Sequence, residues 1–287
     1  MKRYRNGVDL RQALEIRLKR EADEQSTDLG RLRRRVVFDR LAVRLAIDPE
    51  NTWILKGGAA LEFRLYPRAR ATKDIDLALA AGQVDGYTVR DLLIDAMADD
   101  VDQDWFSFQV SQPTALRADA GGREAWRFSL NAFLGGKSFA GVRLDVADRH
   151  AELAATEQLE LPGMLQFAGI PPRVIEAVDR NQHFAEKLHA LTKDYGDRPN
   201  TRVKDLVDLV LLIEAGLQPG AVLVAVVQHV FGIRQTHQLP PRLPDPPPLW
   251  RDQYPVAEAG LTDTGPDLAA AIKVVRTFWT AAVGSTT

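Results

Sequence analysis

The sequence predicts an α+β fold, a mixed strand-and-helix half followed by a mainly helical half, and three observations carry this. "KDIDLALA", residues 73–80, alternates charged and apolar side chains with a period of two, as a strand covered on one face does. "LRRRVVFDRLAVRLAI" and "GYTVRDLLIDAMADDV" repeat their apolar residues at helical spacing instead. Beyond residue 160 the strand signals give way to apolar helical runs, so a division into residues 1–160 and 161–287 is expected.

Residues 8–47 read as helical, with Leu32, Val36, Val37, Leu41, Val43 and Leu45 at roughly helical spacing. Arg31, Arg33, Arg34, Arg35, Arg40 and Arg44 lie between them. Such a set is either a solvated face with its stems laid on apolar surface or a contact surface for phosphates, and both readings stay open. "DPEN" makes a turn, "TWIL" a short strand, and "GGAALEFRL" opens a helix. On the strand at 73–80, Ile75, Leu77 and Leu79 face one way and Asp74 and Asp76 the other. Residues 86–101 form an amphipathic helix through Val89, Leu92, Leu93, Ala96 and Met97. "WFSFQV" is a strand, and "AWRFSLNAFLGGKSFAGVRLDVAD" is a hairpin on a glycine-rich turn. In its second arm Val142, Leu144 and Val146 alternate with Arg143, Asp145 and Ala147. "LPGMLQFAGIPP" reads as a connector, helices are expected at 173–194, 203–215, 220–231 and 266–283, and "LPPRLPDPPPLW" is an extended linker.

With 37 Lys and Arg against 39 Asp and Glu, the formal charge is −2, so no global attraction to nucleic acid or membrane is implied. The absence of cysteine excludes disulfides, thiolate catalysis and Cys-type zinc sites. The charged N-terminus has no apolar signal region, and Glu214 with Pro219-Gly220 breaks the most apolar tract well short of a membrane span. A cytoplasmic protein without membrane contact is expected.

Asp74 and Asp76, two apart on a strand, start their side chains roughly 6.5–7 Å from each other on one side. Hard oxygen donors so placed can share one or two Mg²⁺ ions with substrate phosphates, and Asp145 is a candidate third carboxylate. Asp-x-Asp is common on exposed strands, and here the distinguishing feature is its apolar setting with Arg68, Arg70 and Lys73 just upstream, where buried charge needs compensation. Lys56-Gly57-Gly58, between strand and helix, can present backbone N–H groups to a phosphate, although a glycine pair more often marks a tight turn. The P-loop pattern is absent. By themselves, Lys187 reads as a solvated charge and Asp205 and Asp208 as helix-face acids pairing with Arg202 or Lys204.

Together, Lys56-Gly57-Gly58 with Leu61, Arg70-x-Thr72-x-Asp74-Ile75-Asp76, Ala185-Glu186-Lys187 with Ala190, and Arg202-x-Lys204-Asp205-x-x-Asp208-Leu209 resemble the AbiEii/AbiGii nucleotidyltransferase toxin family, over about Leu32 to Leu212. The resemblance implies a DNA polymerase β-like nucleotidyltransferase core with a mixed sheet, completed by a helical C-terminal region. It implies that Lys56, Gly57, Gly58, Arg70, Thr72 and Lys187 bind the NTP, and that Asp74 and Asp76, with Asp145 by fold-level inference, bind Mg²⁺ or Mn²⁺. It makes Asp74, Asp76, Lys187, Asp205 and Asp208 the catalytic set. The MenT-type branch is similar in motif and size, which implies a toxin with a cognate antitoxin, transferring nucleotides to the tRNA 3′ end. Arg31, Arg33, Arg34 and Arg35 would then hold RNA. One departure is Gly58, where many nucleotidyltransferases carry serine, so phosphate binding would rest on backbone N–H groups and Lys56. A phosphate added at Thr72 would block the nucleotide, but Thr72 reads more simply as a strand-entry residue. Alternatives are nucleotidylation of a protein or small molecule, and a non-catalytic nucleotide- or partner-binding module.

Overall fold

Among the described residues eight strands pair into one mixed sheet whose order places the two acid-bearing strands at its centre. The computed structural model describes residues 4–66, 68–80, 85–116, 124–147 and 150–284. In chain order the elements of the first half are α1 (Gly7–Glu24), α2 (Leu29–Ala46), β1 (Trp53–Lys56), α3 (Gly57–Leu65), β2 (Asp74–Leu79), α4 (Gly86–Ala98), β3 (Phe106–Val110), β4 (Thr114–Leu116), β5 (Ala125–Leu134) and β6 (Lys137–Ala147). Then follow β7 (Thr156–Glu160), β8 (Val174–Val178), α5 (Arg180–Thr192), α6 (Val203–Glu214), α7 (Ala221–Arg234), α8 (Trp250–Glu258) and α9 (Leu268–Gly284). The strand order is β3-β5-β6-β2-β1-β8-β7, with β4 on β5; β2 runs parallel to β6 and antiparallel to β1. This is the expected mixed α+β architecture. Asp148, at the expected end of the hairpin, lies outside the described residues.

The helical stretch expected across 8–47 is divided into two helices, α1 and α2. Asp28 caps α2 by accepting the Arg31 N–H at 2.8 Å, and Ser26 before it takes a left-handed φ of 49° that no continuous helix allows. The helix expected from 173 is corrected. Residues 174–178 form β8, parallel to β1 with Leu55 opposite Ala177, and the helix begins only at Arg180 behind its cap, Asp179. β-Branched Val174, Ile175 and Val178 favour the strand, and its pairing with β1 and β7 decides it. The sheet therefore extends past the expected division at 160.

Two apolar clusters support this frame. One joins α1, α2 and α4 to the sheet face carrying Ile75, Leu77, Leu79, Leu144 and Val146. The other joins α5, α6, α7, α8 and α9, with Leu61 of α3 reaching into it. Alternation leaves Asp74, Asp76 and Asp145 on the face turned away from the first cluster. No described helix is long and apolar enough to cross a membrane.

The arginines of α2 do not form a free basic surface. Arg40 and Arg44 are wholly buried, and Arg44 forks onto Asp104 at 2.8 and 2.8 Å while Arg40 donates to Asp39 at 2.9 Å. Arg35 is buried with its guanidinium 3.7 Å from the Tyr66 ring centroid. Arg33 pairs with Glu15 at 2.7 Å, Arg31 donates to the Ala69 carbonyl at 3.0 Å, and Arg34 lies 3.7 Å from Asp28. These side chains bind α2 to α1, α3 and the start of β3. Arg31, Arg33, Arg34 and Arg35, the expected RNA contacts, are thus engaged with protein partners, Arg35 buried and the other three partly exposed.

Candidate active site

The hairpin and the central strands align four charged residues in one row. Lys56 on β1 pairs with Asp76 on β2, Asp76 with Asp145 on β6, and Asp145 with Arg127 on β5. Asp74 sits one step along the same face, opposite Arg143. The expected carboxylate set is therefore brought together by register. Two of its members are engaged by arginine. Arg127 forks onto Asp145 at 2.7 and 2.7 Å, and Arg143 onto Asp74 at 2.5 and 3.2 Å. Asp76 alone of the three makes no side-chain hydrogen bond or ion pair among the described residues. Burial pushes its carboxyl up, with Asp145 and Asp74 adding to the rise and Lys187 opposing it.

The glycine pair is explained by close approach. Gly57 has a φ of +60°, and a Cβ there would lie 1.9 Å from an Asp76 carboxylate oxygen. A Cβ on Gly58 would lie 2.9 Å from the Thr72 hydroxyl. The space at this turn is thus shared with the acid strand itself. Lys56 caps α3 without a side-chain hydrogen bond, so the first-turn N–H groups of α3 have no side-chain cap. Thr72 donates to the Asp74 carbonyl at 3.0 Å and its N–H reaches buried Glu62 at 3.3 Å, which anchors the approach to β2.

The helical half supplies a second cluster. Lys187 is not the solvated lysine its position on a helix suggested. Its ammonium lies 2.9 Å from Asp205 and 2.8 Å from Asp208, and Arg70 forks onto Asp208 at 2.8 and 2.9 Å. Burial would lower the Lys187 pKa, but Asp208 and Asp205 overcome it and hold the ammonium charged well above its usual range. Burial would likewise raise Asp208, but Lys187 and Arg70 together hold its carboxyl down at about 2. Arg70 thereby ties the segment before β2 to α6, and is committed to a protein carboxylate.

Between the two clusters lies a cavity of about 300 Å³ lined by Lys56, Gly57, Asp76, Asp145, Lys187 and Asp205. Arg234 and Arg202 also border it. Lys56 reaches Glu186 at 2.8 Å, and Arg234 pairs with fully buried Glu152. Arg127, Glu152 and Arg234 carried no sequence signal for the site. Counted from the Gly135-Gly136 turn, Leu134 faces Lys137, and an unbroken ladder would set Arg127 against Leu144. An irregularity at Ala132/Phe133 shifts the register by one and sets Arg127 against Asp145.

Three carboxylates of hard oxygen are the donor type that suits Mg²⁺ or Mn²⁺, and Asp76 faces the cavity without a partner. Among the described residues no three acidic or histidine side chains converge closely enough to hold an ion as they stand. Arg127 and Arg143 each hold one of the candidate ligands, Asp145 and Asp74, in a fork.

The sequence pattern of the nucleotidyl transferase AbiEii toxin family, type IV toxin–antitoxin system, matches residues 41–282. Among solved structures, this chain is similar to MenT4, a nucleotidyltransferase toxin of Mycobacterium tuberculosis H37Rv, at 18% identity over 94% of this chain and 89% of that one, with a TM-score of 0.56. It also aligns with an antigenic nucleotidyltransferase-like protein from Paracoccidioides brasiliensis at 17% identity, covering 70% and 88%, with a TM-score of 0.40. The protein JHP933 from Helicobacter pylori aligns at 11% identity over 86% and 89%, with a TM-score of 0.45. No curated protein matches the sequence.

Proposed function

The chain belongs to the nucleotidyl transferase AbiEii toxin family, and from that premise we propose that it transfers a nucleotidyl group from an NTP to a hydroxyl of an RNA acceptor, with the tRNA 3′ end as the first candidate. The observation that carries this reading is the convergence of the unpartnered Asp76 and the doubly paired Lys187 on one cavity, although they stand on the sheet and on the helical half. The reaction is attack of the acceptor oxygen on the α-phosphate, breaking its bond to the β-phosphate oxygen, with pyrophosphate leaving. Positioning and fixed charge supply most of the catalysis in such transfers.

In this reading the first turn of α3 offers N–H groups to the triphosphate. Lys187 adds a positive charge whose protonation is secured by Asp208 and Asp205, so those two acids act by positioning it. Lys56, bordering the same cavity, adds another. Arg70 fixes Asp208 and so reaches the nucleotide only through Lys187. Asp74, Asp76 and Asp145 would hold Mg²⁺ or Mn²⁺, which when bound supplies charge to the phosphates. The arginines of α2 are engaged with protein partners and lend no separate support to an RNA acceptor, so transfer to protein or a small molecule is the competing reading. The toxin family also implies a cognate antitoxin as partner.

The test is incubation with each α-labelled NTP, Mg²⁺, and total RNA or protein, using the intact chain and Asp76→Asn. Label on tRNA that falls about 10³-fold in the variant, roughly 4 kcal/mol in the barrier, is the expected result. Label on protein alone moves the acceptor to the competing reading, and no transfer to any acceptor overturns both.

A further inference from the structure

We propose that Arg127 and Arg143 are exchangeable counter-ions of the acidic strand face, neutralising Asp145 and Asp74 while the cleft lacks a divalent cation and releasing them when one binds. The inference rests on the cation reading given above. Three carboxylates on adjacent positions of two neighbouring strands repel one another and require positive charge nearby. In this protein two guanidiniums provide it, each by a two-pronged fork onto one acid. Each arginine makes its hydrogen bonds to that one carboxylate and to nothing else among the described residues. No other hydrogen bond among the described residues therefore ties the guanidinium down when its acid is taken.

Exposure favours the exchange. The Arg143 and Arg127 side chains are 48% and 36% exposed, so either guanidinium can return to water with little desolvation cost. The contrast lies in Arg70, which also forks onto an aspartate but is only 16% exposed, with Asp208 fully buried. That pair is fixed, while the pairs on the strand face are at the surface. The third acid, Asp76, has no fork and faces the cavity, which makes it the point at which a cation first engages. An ordinary cross-strand ion pair would instead preorganise its acid. Losing its arginine would then strengthen cation binding only through the charge removed, and the charge-keeping Arg143→Lys would bind as the unaltered protein does, whereas exchange requires the lysine variant to bind more tightly.

The experiment titrates Mn²⁺ into the nucleotide-free full chain and follows the free ion by electron paramagnetic resonance. Arg143→Gln and Arg127→Gln are each expected to bind Mn²⁺ about 2–10-fold more tightly than the unaltered protein, the range for one partly exposed charge-assisted pair. Arg143→Lys, which keeps the charge and loses the fork, should fall between, and Asp76→Asn should lose the site. Thermal melts show that each variant is folded. Asp76-dependent Mn²⁺ binding that is unchanged or weaker in both glutamine variants, or in Arg143→Lys, overturns the exchange and leaves the cation reading standing. Absence of Asp76-dependent binding in every protein removes the cation reading and the exchange with it.

Discussion

Two networks of buried arginine and aspartate share the same components and differ in what surrounds them. Beneath α2, Arg40, Arg44, Asp39 and Asp104 have no exposed side-chain surface and bond to one another and to the β3 backbone. Beside the cleft, Arg70 and Asp208 make the same kind of fork, but Lys187 joins them and borders a cavity. The electrostatic outcomes are opposite. At Asp39 burial outweighs the one adjoining guanidinium, Arg40, and its carboxyl is raised. At Asp208 two cations outweigh burial and the carboxyl drops to about 2. At Asp208 two cations at hydrogen-bonding distance let pairing prevail over burial, and the opening onto a cavity leaves the Lys187 charge available to a ligand.

The comparison breaks most sharply in single truncations. Asp104→Ala should cost about 3–5 kcal/mol of stability, measured by urea unfolding, because Arg44 stays buried without its acid while Arg40 keeps only Asp39. Replacing Arg44 and Asp104 together by apolar residues of similar volume should restore much of that loss and retain nucleotide transfer. The same apolar exchange of Arg70 and Asp208 should leave a folded protein with transfer abolished. Equal behaviour of the two double variants would erase the distinction.

Acid titration gives a smaller effect of about 2 kcal/mol. Asp208 titrates at about 2 in the folded chain against an ordinary 3.8, so it stabilises the fold above pH 4. That contribution is lost as pH falls from about 4 to 2. Asp39 has the opposite sign, since its raised carboxyl keeps a proton longer in the folded chain and its contribution declines as pH rises above the ordinary 3.8. Urea midpoints between pH 2 and 6 should show the acid loss flattened by Asp208→Asn and not by Asp39→Asn. Smallest is Arg33→Ala, which removes a partly exposed pair with Glu15 and should cost under about 1 kcal/mol while leaving RNA affinity unchanged. A marked loss of RNA binding would return α2 to the acceptor site.

Much of the first half was readable because local patterning and the fold agree there. Alternation at 74–79 and 142–147 located both acidic strands, and the glycine pair marked the start of α3. At β8, non-local pairing chose the strand over the helix that the following residues suggest. The arginines of α2 are identical in sequence terms whether they face water or a buried aspartate, because Asp104 lies sixty residues away from Arg44. The Arg127–Asp145 pair depended on a one-residue irregularity that turn counting does not supply.

What the sequence by itself determined is the element order over the central strands, the face on which Asp74, Asp76 and Asp145 stand, and the family pattern, all of which depend on residue spacing along the chain. Only the tertiary structure decided which charges meet. It buried Lys187 between Asp205 and Asp208, closed Arg40 and Arg44 into the core, and set Arg127 and Arg143 over two of the three acids. The physical reason is that an ion pair is a matter of a few ångströms in space, and distance along the chain leaves that separation open.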